Sequence, residues 1–145
     1  MPDAAVRHAI YQHFAAHGSA PENAELAARC ELSTQDLYAA LDRLDAAHAI
    51  VLKPGTHDLW MAMPFSAVPT DYHVDWGERS AYANCAWDAF GIAAALATDV
   101  TITTRDPLDG TALTVRVSGG RVIPDDHVVH FAVPAAQWWT DIGFT

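Results

Sequence analysis

The sequence has little of what nucleic-acid binders, structural zinc modules and membrane proteins need. It holds 8 Lys and Arg against 18 Asp and Glu, a net charge of −10. Phosphate contacts supply most nucleic-acid affinity and need a basic face, so no nucleic-acid partner is expected. Only two cysteines occur, Cys30 and Cys85, and no CxxC pair, which excludes a structural zinc site of paired cysteines. No apolar run approaches the roughly 18 residues of a membrane span, so no membrane partner is expected. The N-terminus, MPDAAVRHAI, lacks the basic start and apolar core of a secretory signal. The expectation is a cytoplasmic protein whose thiols are reduced rather than bridged. Internal repeats and low-complexity tracts are absent.

What is present is apolar. Hydrophobic residues make up 51% of the chain and charged residues 18%, a balance that argues against disorder. Val6, Ile10 and Phe14 repeat at helical spacing, which predicts a helix over 4–17 stopped by Gly18. A short helix is expected over 22–30. Ser33 with Asp36 three residues on reads as the N-terminal cap of a third helix, striped by Leu37, Leu41 and Leu44. A hairpin follows, with strands 49–52 and 59–63 around Pro54-Gly55.

Three helices and a hairpin are the element order of a winged helix, so residues 1–64 are read as a winged-helix-like N-terminal domain. The third helix, which reads DNA in that fold, carries one Arg against three Asp. A DNA-binding regulator is therefore the disfavoured reading. Residues 65–79 are expected as a linker, and 80–145 as a second domain. In it, 80–97 reads as a buried, Ala-rich helix. Strands are expected over 99–105, 111–117 and 127–133, with 137–145 a helix or loop. The fold class is α+β, the second helix packing on an antiparallel sheet. The five tryptophans are expected in the core. His127 and His130 would point to opposite faces of their strand, so no histidine metal site is expected.

Cys85 and Asp88 stand out. Three residues apart on a helix, they share a face, with Cβ atoms about 5–6 Å apart. A carboxylate in an apolar helix is costly unless paired or used. A thiolate is a soft-metal ligand, and a buried acid can hold a proton to higher pH. The plainer alternative is a cysteine packed as a small hydrophobe beside an Asp bonded to backbone. Cys30 falls among helical alanines and reads as core.

The stretch AYANCAWDAFGI (81–92) resembles the active-site helix of organomercurial (alkylmercury) lyases, whose Tyr-Ala-x-Cys-Ala-x-Asp pattern is matched at Tyr82, Ala83, Cys85, Ala86 and Asp88. The resemblance implies a helical N-terminal domain before this helix and β-hairpins after it. It implies cleavage of a carbon–mercury bond, with Cys85 taking the mercury and Asp88 delivering the proton, both serving as catalytic and metal-binding residues. Mercury would be substrate and product, with no further cofactor. The partners implied are an organomercurial small molecule, small thiols, and a mercuric reductase that removes the ion. The family pairs its first cysteine with a second in a later segment. No cysteine follows Cys85, and the corresponding region is expected to begin at TDIGFT, where the sequence ends. The alternative left open is a non-catalytic sensor of soft metals or a regulatory module.

Overall fold

A computed structural model describes residues 2–144. Three helices open the chain: α1 (Pro2–His17), α2 (Asn23–Arg29) and α3 (Thr34–Ala46). Val6, Ile10 and Phe14 are fully buried, as their spacing requires. Gly18 ends α1 at φ +72°, and a Cβ there would overlap the Ser80 carbonyl oxygen. Ser33 caps α3, its hydroxyl accepting from the Asp36 amide at 3.1 Å. Leu37, Leu41 and Leu44 face inward.

Eight strands follow: β1 (Val51–Leu52), β2 (Leu59–Ala62), β3 (Phe65–Ser66), β4 (His73–Trp76), β5 (Arg79–Ala83), β6 (Val100–Arg105), β7 (Ala112–Ser118) and β8 (Arg121–Ile123). They form one sheet in the order β1-β2-β3-β5-β4-β6-β7-β8, and every pairing is antiparallel. The helix α4 (Ala86–Leu96) connects β5 to β6. Because β4 lies between those two strands, α4 crosses the sheet and packs on β4 and β5. One core runs from Leu37 and Leu41 through Phe65 and Val74 to Ile92 and Val115. The rings of Phe14 and Phe65 stack with centroids 5.0 Å apart and planes 8° apart, joining α1 to the middle of the sheet. The fold is α+β, as the sequence indicates.

Three local expectations are corrected. Residues 65–79, expected as a linker, carry β3, β4 and the start of β5. Val74 is fully buried at the centre of the sheet, while Pro64 and Pro69 fall outside the strands, where their missing N–H groups disturb no ladder. The helix expected over 80–97 begins only at Ala86. Residues 79–83 pair instead with β4 and β3, and Ala81 and Ala83 alternate inward. Tertiary pairing overrides the helix preference of alanine here. The helix that remains buries one face, through Ala89, Ile92 and Ala93, while Ala94 and Ala95 are exposed. Finally, 127–133 is not a strand. It lies between Pro124 and Pro134, leaves the sheet after β8, and leads into a 3-10 helix (Ala135–Thr140).

Candidate active site

The chain from β5 into α4 places the two residues singled out by the sequence. Cys85 is not within a helix but is the N-cap of α4, with extended backbone at φ −153° and ψ −178°. Asp88 sits in the first turn. Both line one cavity of about 290 Å³ beneath the C-terminal segment. Its walls come from three places. The β2–β3 region contributes Trp60, Met61, Met63 and Ser66. The start of α4 contributes Asn84, Cys85, Trp87 and Asp88. The chain after β8 contributes Phe131, Trp138, Ile142 and Gly143.

Two close backbone approaches hold these walls together. A Cβ on Gly91 would stand 3.1 Å from Pro64 Cβ, so α4 lies directly on the β2–β3 turn. Gly143 lies against the Trp60 ring, where a Cβ would come within 2.5 Å. The Trp138 indole N–H donates to the Val133 carbonyl at 3.1 Å. Its ring packs on Phe131 at 5.1 Å between centroids, and Phe131 packs on Trp87 at 6.4 Å. Of the five tryptophans expected in the core, Trp76 packs against it, while the others lie at the cavity or the surface. Trp87 is 63% exposed and Trp139 42%, while Trp60, Trp87 and Trp138 form a cavity wall.

Asn84, which the sequence reading passed over, organises the carboxyl. Its side-chain amide donates to Asp88 Oδ2 at 2.9 Å and to the Phe65 carbonyl at 3.2 Å. Its own Oδ1 is buried without a partner. Burial pushes the Asp88 pKa up from 3.8, and the Asn84 hydrogen bond opposes the rise. Desolvation favours the neutral acid, so Asp88 keeps its proton to higher pH than an exposed carboxyl.

Burial likewise pushes the Cys85 thiol above 9.0. The amides of Asp88 and Trp87 favour the thiolate, and the Asp88 carboxylate disfavours it. An amide-rich helix N-terminus is a setting that stabilises an anion. Here the apolar walls outweigh it, and the thiol keeps its proton until something displaces it. Tyr72 stands close enough to be affected: burial first, then the charge of Cys85, raises its pKa. A soft cation would take the sulfur and release the proton, since metal ligation requires the thiolate.

Cys30 lies elsewhere, half-buried at the C-cap of α2. His127 is not on a strand and pairs with its neighbour Asp126 at 3.3 Å. Among the described residues, no group of three or more His, Cys, Asp or Glu side chains could hold a metal ion. No helix among them is long and apolar enough to cross a membrane.

A thiol and a carboxyl, both with pKa values raised by burial, line one largely apolar cavity. The sequence profile of the alkylmercury lyase family (MerB) matches residues 65–145, which is more than half of the chain and covers every cavity wall except Trp60, Met61 and Met63. The chain belongs to the alkylmercury lyase family. Its fold is similar to a solved structure described as the mercury-bound form of MerB2, with a TM-score of 0.67 and 22% identity. That similarity covers 85% of this chain and 60% of the other, so the chain spans about three-fifths of that relative's length. No curated protein matches.

Proposed function

We propose that the cavity at the start of α4 captures an organomercurial and cleaves its carbon–mercury bond. The observation that carries this reading is the shared placement of Cys85 and Asp88 on one largely apolar cavity, where burial raises the carboxyl's pKa above its ordinary value. The similar fold of the mercury-bound form of MerB2 supports the choice of metal.

The steps balance. The Cys85 thiol loses its proton and its sulfur displaces the thiol carried by R–Hg–SR′, giving R–Hg–S(Cys85) and R′SH. The Hg–C bond then breaks heterolytically. Its electron pair stays on carbon, which takes the Asp88 proton and leaves as RH. Mercury remains as Hg(II) on the Cys85 thiolate, and the new Asp88 carboxylate offsets its charge. No electron is transferred and no oxidant is consumed. The apolar walls accommodate the alkyl or aryl group and exclude water, and the same burial favours the acid's neutral form. The binding partners of this reading are an organomercurial and small thiols, which carry the substrate in and the ion away. A mercuric reductase is the reading's downstream acceptor of that ion.

The cavity presents one thiolate. Soft mercury prefers sulfur to oxygen, so Cys85 rather than Asp88 should retain the metal. The test is titration with mercuric chloride against a competing small thiol. Cys85→Ser should lose the bound mercury and Cys30→Ser should keep it. The reverse pattern moves the site to the helical N-terminal region and removes this reading.

A further inference from the structure

The alkylmercury lyase pattern leaves open the position before its cysteine and the one before its aspartate, and Asn84 and Trp87 fill them here. Both line the cavity that Cys85 and Asp88 share. Trp87 belongs to a run of ring contacts at that cavity. Phe131 packs on Trp87 with centroids 6.4 Å apart and planes at 58°, and on Trp138 at 5.1 Å and 42°. Trp60 adds a further ring from β2. The polar side chains of the walls are already engaged within the fold. The Ser66 hydroxyl donates to the Val68 carbonyl at 2.8 Å, and the Thr70 hydroxyl to the Ala83 carbonyl at 2.6 Å. The Asn84 amide is divided between Asp88 and Phe65. Among the described residues, no Lys, Arg or His side chain lines the cavity, and Asp88 is its one carboxyl.

We propose that the organic group selected at this site is an uncharged aromatic ring, with Trp87 as the residue that sets the preference. The inference rests on the proposed mercury capture and adds to it the class of organic group. An engineered cavity of about 150 Å³ holds benzene, and this one measures about 290 Å³. It has room for a phenyl ring and the mercury that bears it. A ring brings more apolar surface out of water than a methyl group does. Its face or edge can also pair with indole in the tilted geometry that the wall rings already adopt among themselves. A methyl group fills little of the space and leaves the rings without dispersion partners. A ring that carries a carboxylate would lose hydration with no cationic side chain to offset the loss, and it would share the cavity with Asp88. The step is thiol exchange alone. The Cys85 sulfur takes R–Hg, and the small thiol leaves with the Cys85 proton.

The test uses the full chain in a Cys30→Ser background. Phenylmercury, 4-carboxyphenylmercury and methylmercury are each supplied as the complex with one small thiol, so that the intrinsic mercury–sulfur strength largely cancels in the exchange onto Cys85. Intact-mass measurement separates chain–Hg–R from chain–Hg, which keeps capture apart from cleavage. The exchange constant for phenylmercury should exceed each of the others about tenfold or more, from the added apolar burial and ring contact. Trp87→Leu should lower the phenyl-to-methyl ratio severalfold, and Trp87→Phe should keep most of it. Trp87 is not part of the core, so neither change opens a buried cavity there, and circular dichroism checks the fold. Equal constants for phenyl and either competitor, or a ratio unchanged in Trp87→Leu, overturns the inference and leaves capture standing. No exchange of any of the three compounds onto Cys85 overturns capture, and the inference with it.

Discussion

The side-chain amide of Asn84 donates to Asp88 Oδ2 at 2.9 Å while the same nitrogen donates to the Phe65 carbonyl at 3.2 Å. The acid of the site is therefore tied to β3 through a single residue. This contact also opposes the burial that raises the Asp88 pKa. Asn84→Ala should release the carboxylate from its donor and raise that pKa further. A ¹³C-carboxyl titration of Asp88 by NMR should show the upward move. A downward move or none would mean that Asn84 does not hold the carboxylate.

Asp88 also leaves a mark on stability. Its folded pKa lies above its unfolded value of 3.8, so the folded state binds the proton more tightly. The sign follows from linkage: below 3.8 the protonated acid carries no penalty, and stability falls as pH rises from there through the folded pKa. Asp88→Asn removes the ionisable group and that decline. Urea unfolding at pH 7 should find the variant more stable than the parent, with the difference vanishing in acid. A variant less stable at pH 7 would contradict the assignment.

Phe14 and Phe65 join the helical N-terminal region to the sheet. Phe14 is fully buried, and replacing a core Phe with Ala typically costs about 3–5 kcal/mol. Phe14→Ala should destabilise the fold by an amount of that order, read from urea unfolding, and should loosen β3 along with α1. Amide exchange that speeds in α1 alone would show two independently stable units.

Gly18 is fixed by two constraints, a left-handed φ of +72° and the Ser80 carbonyl oxygen where a Cβ would go. Gly18→Ala should destabilise by more than about 1 kcal/mol, since strain and overlap add. Thermal melts of the purified chain provide the comparison with the parent. An unchanged midpoint would mean that α1 and β5 part easily.

Much of this architecture is legible in the sequence alone. Val6, Ile10 and Phe14 declared α1, and the Ser33–Asp36 pair declared the start of α3, because both signals are local. The β3–β5 region was not legible. Its strands are short and each is stabilised by partners far along the chain, so Ala81 and Ala83 read as helix until β4 and β3 claim them. The HVVHFAV stretch failed in the opposite direction: its β-branched residues suit a strand, but β8 leaves it no ladder to join. At the site, the spacing of Cys85 and Asp88 drew attention to the right turn of chain while mistaking an N-cap for a helix interior. Asn84, Met61 and Met63 carried no pattern of their own. Asn84 precedes Cys85 in the chain, while only the packing of α4 against the β2–β3 turn brings Met61 and Met63 to the cavity that Cys85 lines.

The most direct measurement is methane release from methylmercury by the full chain in the presence of excess small thiol. The account expects release that depends on both site residues. Cys85→Ser should release none above buffer, and Asp88→Asn should be slower by about 10²–10⁴-fold, the usual contribution of a positioned acid. Release at the parental rate by either variant, or none above buffer from the parent chain, would contradict the assignment of Cys85 as mercury acceptor and Asp88 as proton donor.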